Sequence, residues 1–163
     1  MTDNKPDSVE KPLEHFADEI MVKDVLTVQS DTSVKRAVEL MTRKGLGCLV
    51  VQKNESIVGI VTERDILNKI TAEGVDPTHV LIQDIMTAPI ITVNMKSTIA
   101  EIAEKMNTFR VRRTVVVDSK GDMAGLVMAE DLTGWLAKRS KYFDPSIDSF
   151  AEIRSKGSGG PYV

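Results

Sequence analysis

The hydrophobic and polar positions of this chain form a pattern of elements that occurs twice. In each copy a short Thr-Val stretch precedes apolar positions at helical spacing, and two β-branched runs joined by polar turn residues follow. The helical positions are Val34, Ala37, Val38 and Met41 in the first copy, and Ile99, Ile102, Ala103 and Met106 in the second. The runs are CLVV and IVGIV in the first copy, and TVVV and MAGLV in the second. A final helix begins near Asp65 or Asp131. The pattern predicts an α/β chain of the α+β type, with the order β-α-β-β-α in each copy.

The two copies are also similar residue by residue. Val28 recurs as Val93, 65 positions later, whereas Asp65 recurs as Asp131, 66 positions later. We place the inserted residue that changes this offset before Thr114. An internal repeat of this kind indicates two copies of one supersecondary unit, neither of which is expected to bury its apolar face alone.

The repeat divides the chain into four predicted regions. The polar N-terminus, residues 1–12, is predicted to be flexible, and residues 13–75 hold the first unit with a leading helix. Residues 76–139 hold the second unit, and residues 140–163 form a C-terminal tail rich in polar and Gly residues. The leading helix is expected to pack on the units through one apolar face, made by Leu13, Phe16, Ala17, Ile20 and Met21.

Composition and charge argue against several classes of protein. The formal net charge is −3 and no basic tract dominates, so binding to nucleic acid is not expected. The sequence has no run of about 18 apolar residues for a membrane span, and the single Cys48 fits a reducing compartment, which predicts a cytoplasmic protein. Because His15 and His79 are isolated and no phosphate-binding loop or nucleophile elbow is present, neither a metal site nor an enzyme is expected.

Candidate chemistry lies at the junction of the first repeat, where the sequence reads GIVTERD over residues 59–65. A carboxylate in the first turn of a helix can accept hydrogen bonds from two adjacent ribose hydroxyls, a role that we assign to Asp65. The free N–H groups of the helix N-terminus favour a phosphate, and Thr62 adds a hydroxyl. Thr-x-x-Asp is also a helix-capping sequence, in which Thr62 satisfies only its own helix, and the local spacing alone favours this cap.

The order of elements, the GIVTERD junction and the lead-in DIMTAPIITV at residues 84–93 together resemble the tandem CBS (cystathionine β-synthase) domain module, also called the Bateman module. The resemblance covers about residues 20–137, and it is specific because the repeated unit with its junction occurs twice. It implies two units that pack sheet against sheet about a pseudo-twofold axis and leave two clefts for adenine nucleotides or S-adenosylmethionine. It also favours the ligand-binding role of Asp65 over the cap.

In this family, basic residues just before a strand of one unit reach toward phosphates held at the junction of the other unit. The resemblance therefore implies that Arg112 and Arg113, in FRVRRTVVVD, serve the cleft at Asp65. Taken without the repeat, two such arginines are typical of a solvated face. We match them with Leu46 and Gly47 in the first unit, neither of which is basic.

The two clefts are predicted to differ. Met128 stands where the first repeat has Thr62, so the second junction lacks the hydroxyl as well as the arginines. Asp131 either binds a ribose or only interacts favourably with the dipole of its own helix. One phosphate-competent site and one degraded or adenosine-type site are therefore expected. Residues that can equally be core are expected to wall the clefts, Leu26 and Thr27 in the first, and Thr87, Ile90 and Ile91 in the second.

The resemblance implies a regulatory module that senses AMP, ADP, ATP or a related adenosyl ligand such as S-adenosylmethionine, and passes its occupancy to an effector protein. It requires no cofactor besides this ligand, and it implies a homodimer. The alternative is a dimeric interaction scaffold whose cleft is empty. The constellation of Thr62, Asp65, Arg112 and Arg113 favours the ligand-binding module.

Overall fold

A computed structural model of the protein describes residues 15–139, which form two compact units. Within the described part of the chain, the first-repeat unit contains residues 22–91, and the second-repeat unit contains residues 15–21 and 92–139. The predicted N-terminal region 1–12 and the tail 140–163 lie outside the described residues.

The helices and strands follow the predicted order in both repeats. They are α1 (Ala17–Ile20), β1 (Thr27–Gln29), α2 (Val34–Lys44), β2 (Cys48–Lys53), β3 (Ser56–Thr62), α3 (Glu63–Ile66), α4 (Ile82–Ile85), β4 (Thr92–Asn94), α5 (Ile99–Phe109), β5 (Arg113–Val117), β6 (Met123–Met128) and α6 (Ala129–Arg139). Helix α3 continues as a π-helical turn over Leu67–Thr71. The fold class and the repeated β-α-β-β-α order are confirmed.

The leading segment of each repeat packs with the other repeat. The Ala17 N–H donates to the Ser97 carbonyl at 2.9 Å, which attaches α1 to the second-repeat unit. In the first-repeat unit, the Val34 N–H donates to the Val80 carbonyl at 2.9 Å. The units therefore differ from the predicted regions 13–75 and 76–139, which place each leading segment with its own repeat.

Each unit contains one three-stranded sheet with the same topology. Strand β1 is parallel to β2, which is antiparallel to β3, and β4, β5 and β6 repeat this arrangement. The parallel pair requires a crossover connection, which α2 and α5 supply. The hairpin between β2 and β3 turns at Asn54 and Glu55, both of which have positive φ.

The strand register relocates the inserted residue. Val50 pairs with Thr27, and Val115 pairs with Thr92, so the offset is still 65 within β5. The extra residue lies in the hairpin loop of residues 118–122. The predicted position of the insertion before Thr114 is therefore wrong.

This register also changes the counterparts of the two arginines. Cys48 pairs with Thr62 in the first-repeat unit, and Arg113 pairs with Met128 in the second. Arg113 therefore corresponds to Cys48, and Arg112 corresponds to Gly47. The match with Leu46 and Gly47 is wrong by one residue, although neither true counterpart is basic.

Each unit has its own hydrophobic core, made by one face of its sheet and by its helices. In α2 the predicted apolar positions Val34, Ala37 and Met41 are buried, and Val38 packs against the same cluster. In α5, Ile99, Ile102 and Met106 are buried together with Ala17 of α1. Ala103, also predicted on that face, is exposed because α5 buries a narrower stripe than the apolar pattern indicates.

Candidate functional site

The first junction is a helix cap built on the last residue of β3. The Thr62 N–H donates to Asp65 Oδ2 at 2.9 Å, and the Asp65 N–H donates to Thr62 Oγ1 at 3.3 Å. The Thr62 hydroxyl also donates to Asp65 Oδ2, at 2.6 Å. This is the reciprocal capping box that the local spacing favours. The cap fixes the carboxylate in the first turn of α3, with only 13% of the side chain exposed.

The second oxygen of this carboxylate has different partners. The Thr87 hydroxyl donates to Asp65 Oδ1 at 3.3 Å, and Lys69 Nζ lies 3.4 Å from the same oxygen. Lys69 Nζ also donates to the Ile85 carbonyl at 2.5 Å. The sequence reasoning missed Lys69, although its i,i+4 spacing from Asp65 is a recognisable ion-pair signal. Thr87, expected in the wall of the second cleft, contacts Asp65 in the first-repeat unit.

The segment that carries Thr87 lies directly against β3. Ile60 and Thr87 exchange two backbone hydrogen bonds, with N···O distances of 3.0 and 2.8 Å. A Cβ atom added at Gly59 would lie 2.8 Å from Met86 Sδ and 2.8 Å from the Thr87 carbonyl oxygen. Gly59 therefore permits a close approach that no larger residue allows without a shift, and this approach brings Thr87 to Asp65.

The predicted wall residues Leu26 and Thr27 lie at the start of β1 in the same unit. Thr27 is paired with Val50 of β2, and the Leu26 carbonyl accepts a hydrogen bond from the Val50 N–H at 3.2 Å. Leu26 is 36% exposed, as single large apolar side chains at a protein surface often are. Because Cys48 is paired with Thr62, the start of β1 lies near the end of the sheet where the junction begins.

The second junction repeats only part of this arrangement. The Met128 N–H donates to Asp131 Oδ2 at 2.9 Å, so Asp131 caps α6 as Asp65 caps α3. Met128 supplies no hydroxyl, and the position equivalent to Lys69 is Trp135. The difference between the two junctions that the sequence predicts is therefore present in the geometry of the caps.

The two arginines lie at the start of β5 in the second-repeat unit. Arg112 is 70% exposed on its side chain, and its Nη2 lies 3.8 Å from Glu130 Oε2, a distance typical of a weak surface ion pair. Arg113 is half-buried, and its buried Nε has no hydrogen-bond partner within the described residues. A buried N–H group without a partner costs free energy, so Arg113 has an unused donor.

Two structural features are absent from residues 15–139. No group of three or more His, Cys, Asp or Glu side chains in that range is placed to hold a metal ion. None of the helices described is long and apolar enough to cross a membrane.

Comparison with known proteins decides the family. The model of the CBS domain matches the chain twice, over residues 17–72 and 82–138. The chain belongs to the CBS domain family. These two matches correspond to the two repeats, so the protein contains a tandem CBS pair.

Relatives with known sequences include an enzyme and a protein without an assigned function. The chain is 31% identical over 143 residues to inosine-5′-monophosphate dehydrogenase of Thermoplasma acidophilum, covering 88% of this chain and 27% of the enzyme. It is 34% identical over 116 residues to an uncharacterised protein of Methanopyrus kandleri, covering 70% of this chain and 59% of that protein. The CBS pair thus spans about a quarter of the enzyme, and the enzyme's activity is not transferred to it.

Solved structures of CBS proteins have the same fold. A protein with CBS domains from Burkholderia ambifaria superimposes with a TM-score of 0.68 at 30% identity, covering 74% of this chain and 88% of that one. A hexameric CBS-CP12 protein from bloom-forming cyanobacteria superimposes with a TM-score of 0.69 at 30% identity, covering 90% and 87%. A CBS domain protein of Thermoplasma acidophilum gives a TM-score of 0.69 at 26% identity, covering 87% and 77%.

Proposed function

We propose that this CBS pair is a non-catalytic regulatory module of the cytoplasm that binds AMP, ADP, ATP or a related adenosyl ligand such as S-adenosylmethionine, and passes occupancy to an effector protein. The observation that carries the proposal is the Asp65 carboxylate. The cap holds it through Oδ2, while the partners of Oδ1 among residues 15–139 are side chains, at 3.3 and 3.4 Å. Side chains can move aside more easily than the backbone of the cap, so Oδ1 is available to ribose hydroxyls.

The arginines supply the charge for phosphates in this proposal. Arg113 has a buried Nε–H without a partner among the described residues, and Arg112 has only a distant carboxylate neighbour there. Guanidinium groups of this kind bind phosphate oxygens through charge-assisted hydrogen bonds. The second junction is proposed as the weaker site, because Met128 and the uncharged pair Gly47 and Cys48 replace the corresponding groups.

Titration calorimetry on the full chain tests the proposal with adenosine, AMP, ATP and S-adenosylmethionine. Asp65→Ala should weaken the dominant site by about 10- to 150-fold, since a hydrogen bond to a charged group contributes about 1.5–3 kcal/mol. Asp131→Ala is the matched control and should retain most of the affinity. A site that survives Asp65→Ala and disappears in Asp131→Ala would refute the assignment.

A double variant tests the phosphate role separately. Arg112→Ala with Arg113→Ala should weaken ATP more than AMP and leave adenosine almost unchanged, because each lost charge-assisted bond is worth about 1.5–3 kcal/mol. An equal loss for adenosine and ATP would mean that the arginines support the fold and not the ligand.

A second candidate function is a ligand-free homodimeric scaffold. It is supported by the complete capping box at Thr62, which needs no ligand, and by exposed apolar side chains on α5 and α6, where Phe109 is 52% and Leu136 is 43% exposed. Exposed apolar side chains form association surfaces where they lie in one contiguous patch. Light scattering after size-exclusion chromatography measures the oligomer. A stable dimer that binds none of the four ligands would favour the scaffold.

A further inference from the structure

Asp65 connects α3 to the segment of residues 85–89, which we call the connecting segment because it leads from the end of α4 toward β4. Thr87 of that segment donates directly to Asp65 Oδ1. Lys69, which lies 3.4 Å from the same oxygen, also donates to the Ile85 carbonyl. Both partners of Oδ1 therefore belong to the connecting segment or are bound to it.

Groups of the chain itself already use the acceptor capacity of this carboxylate. A carboxylate offers about four acceptor positions, two on each oxygen. At Oδ2 the Thr62 N–H and hydroxyl take both, at 2.9 and 2.6 Å, while Thr87 and Lys69 occupy Oδ1 at 3.3 and 3.4 Å. A ribose diol needs two positions, and the longer contacts at Oδ1 are the weaker ones to displace.

We propose that Lys69 and Thr87 form a latch that competes with a ribose diol for Asp65, so that ligand binding releases the connecting segment. The identity of the ligand rests on the proposed function, whereas residues of the chain alone form the contacts of the latch. Once Oδ1 accepts two ribose hydroxyls, Thr87 loses its side-chain bond and Lys69 no longer links α3 to Ile85. Of its described hydrogen bonds, the segment then keeps those that its backbone makes with Ile82 and Ile60.

The latch is specific to the first repeat. Trp135, at the position equivalent to Lys69, carries no positive charge that could form an ion pair with Asp131. In this mechanism the first junction combines ribose binding with an output, and the second junction caps its helix. Occupancy of the first junction thus changes the segment that leads from α4 of the first-repeat unit to β4 of the second-repeat unit.

Hydrogen exchange of the full chain, followed by mass spectrometry, tests the release. Saturating adenosine should speed exchange of the Met86 and Thr87 amides, which donate to the Ile82 and Ile60 carbonyls at 2.8 Å each. The hairpin loop of residues 118–122 serves as an internal control and should not change. 2′,3′-Dideoxyadenosine, which has no diol, should leave Met86 and Thr87 unaffected.

Affinity for adenosine gives an independent measurement, because adenosine has no phosphate for Lys69 to contact. Lys69→Met and Thr87→Val each remove a competitor and should tighten adenosine by about 2- to 5-fold, the range of a partly exposed ion pair or hydrogen bond. Thr87→Ser keeps the hydroxyl and should bind as the natural chain does. Weaker binding by Lys69→Met would overturn the latch.

A ligand-free comparison separates the latch from the proposed function. Without ligand, Lys69→Met and Asp65→Ala should both speed exchange at Met86 and Thr87. Unchanged exchange in both variants, or adenosine binding without faster exchange, would overturn the latch and leave nucleotide binding intact. If the two variants exchange faster but the natural chain does not bind adenosine, the proposed function is refuted. A ribose diol is then not the group that releases the latch.

Discussion

Replacing Gly59 by alanine tests the close approach that brings Thr87 to Asp65. The added Cβ would meet Met86 Sδ and the Thr87 carbonyl oxygen, both at 2.8 Å, whereas ordinary contacts begin near 3.4 Å. Met86 is a flexible side chain and can move, but the Thr87 carbonyl accepts a backbone hydrogen bond from Ile60. The backbone of the connecting segment must therefore shift by several tenths of an ångström.

The expected cost follows from overpacking in a well-packed region, about 1–3 kcal/mol of unfolding free energy. For a chain of this size, each 1 kcal/mol lowers the melting temperature by about 2–4 °C, so thermal unfolding followed by circular dichroism should detect the change. Gly134→Ala is the matched control. Its Cβ would have no neighbouring atom of the described residues within 4 Å and lies inside α6, where alanine is favoured over glycine by about 1 kcal/mol.

The two substitutions should therefore have opposite signs. Gly59→Ala should lower the melting temperature and also speed exchange at Thr87, while Gly134→Ala should raise the melting temperature or leave it unchanged. An unaltered melting temperature in Gly59→Ala would show that the connecting segment yields without cost, and the reasoning that a glycine is needed there would fail.

Three further predictions concern the second-repeat unit. Ile102→Ala should lower the unfolding free energy in urea by about 2–5 kcal/mol, because this fully buried side chain leaves a cavity; a loss below about 1 kcal/mol would mean that the core collapses around the site. Thr98→Ala should cost about 1 kcal/mol by removing the cap of α5, and Thr98→Ser, which keeps the hydroxyl, should restore most of it. The hydrogen bond from His15 lowers the pKa of Glu19 in the folded chain. This bond therefore contributes its full stabilisation above the ordinary pKa of glutamate, and the contribution is lost as the pH falls through the lowered pKa. In melting curves taken at decreasing pH, Glu19→Gln should lose less stability than the natural chain.

The caps and periodic faces were predictable because they depend on neighbours within one or two turns. Thr62 and Asp65 are three residues apart, so a capping box at the end of β3 follows from local spacing. Val34, Ala37 and Met41 recur at helical intervals, and this spacing alone identifies the buried face of α2. Repetition of both patterns along the chain indicated the tandem CBS pair.

Contacts between residues that are far apart in the sequence could be identified only from the fold. The Thr87 hydroxyl reaches Asp65 across 22 positions, and it does so only because the connecting segment lies against β3 at Gly59. No local pattern distinguishes this arrangement from the expected one, in which Thr87 walls the second cleft. The insertion in the hairpin loop could likewise be placed only by strand pairing, since a gap can be moved along similar β-branched runs without changing the apolar match.

By itself, then, the sequence determined the order of the elements, the buried face of α2 and the capped first junction, because spacing along the chain controls which neighbours share a turn or a face. Tertiary packing decided which repeat holds each leading segment and which groups surround Asp65 Oδ1. Those groups come from Lys69 in the next turn and from Thr87 in a segment that returns to the sheet. Their meeting depends on where the backbone folds back and how closely Gly59 lets it approach.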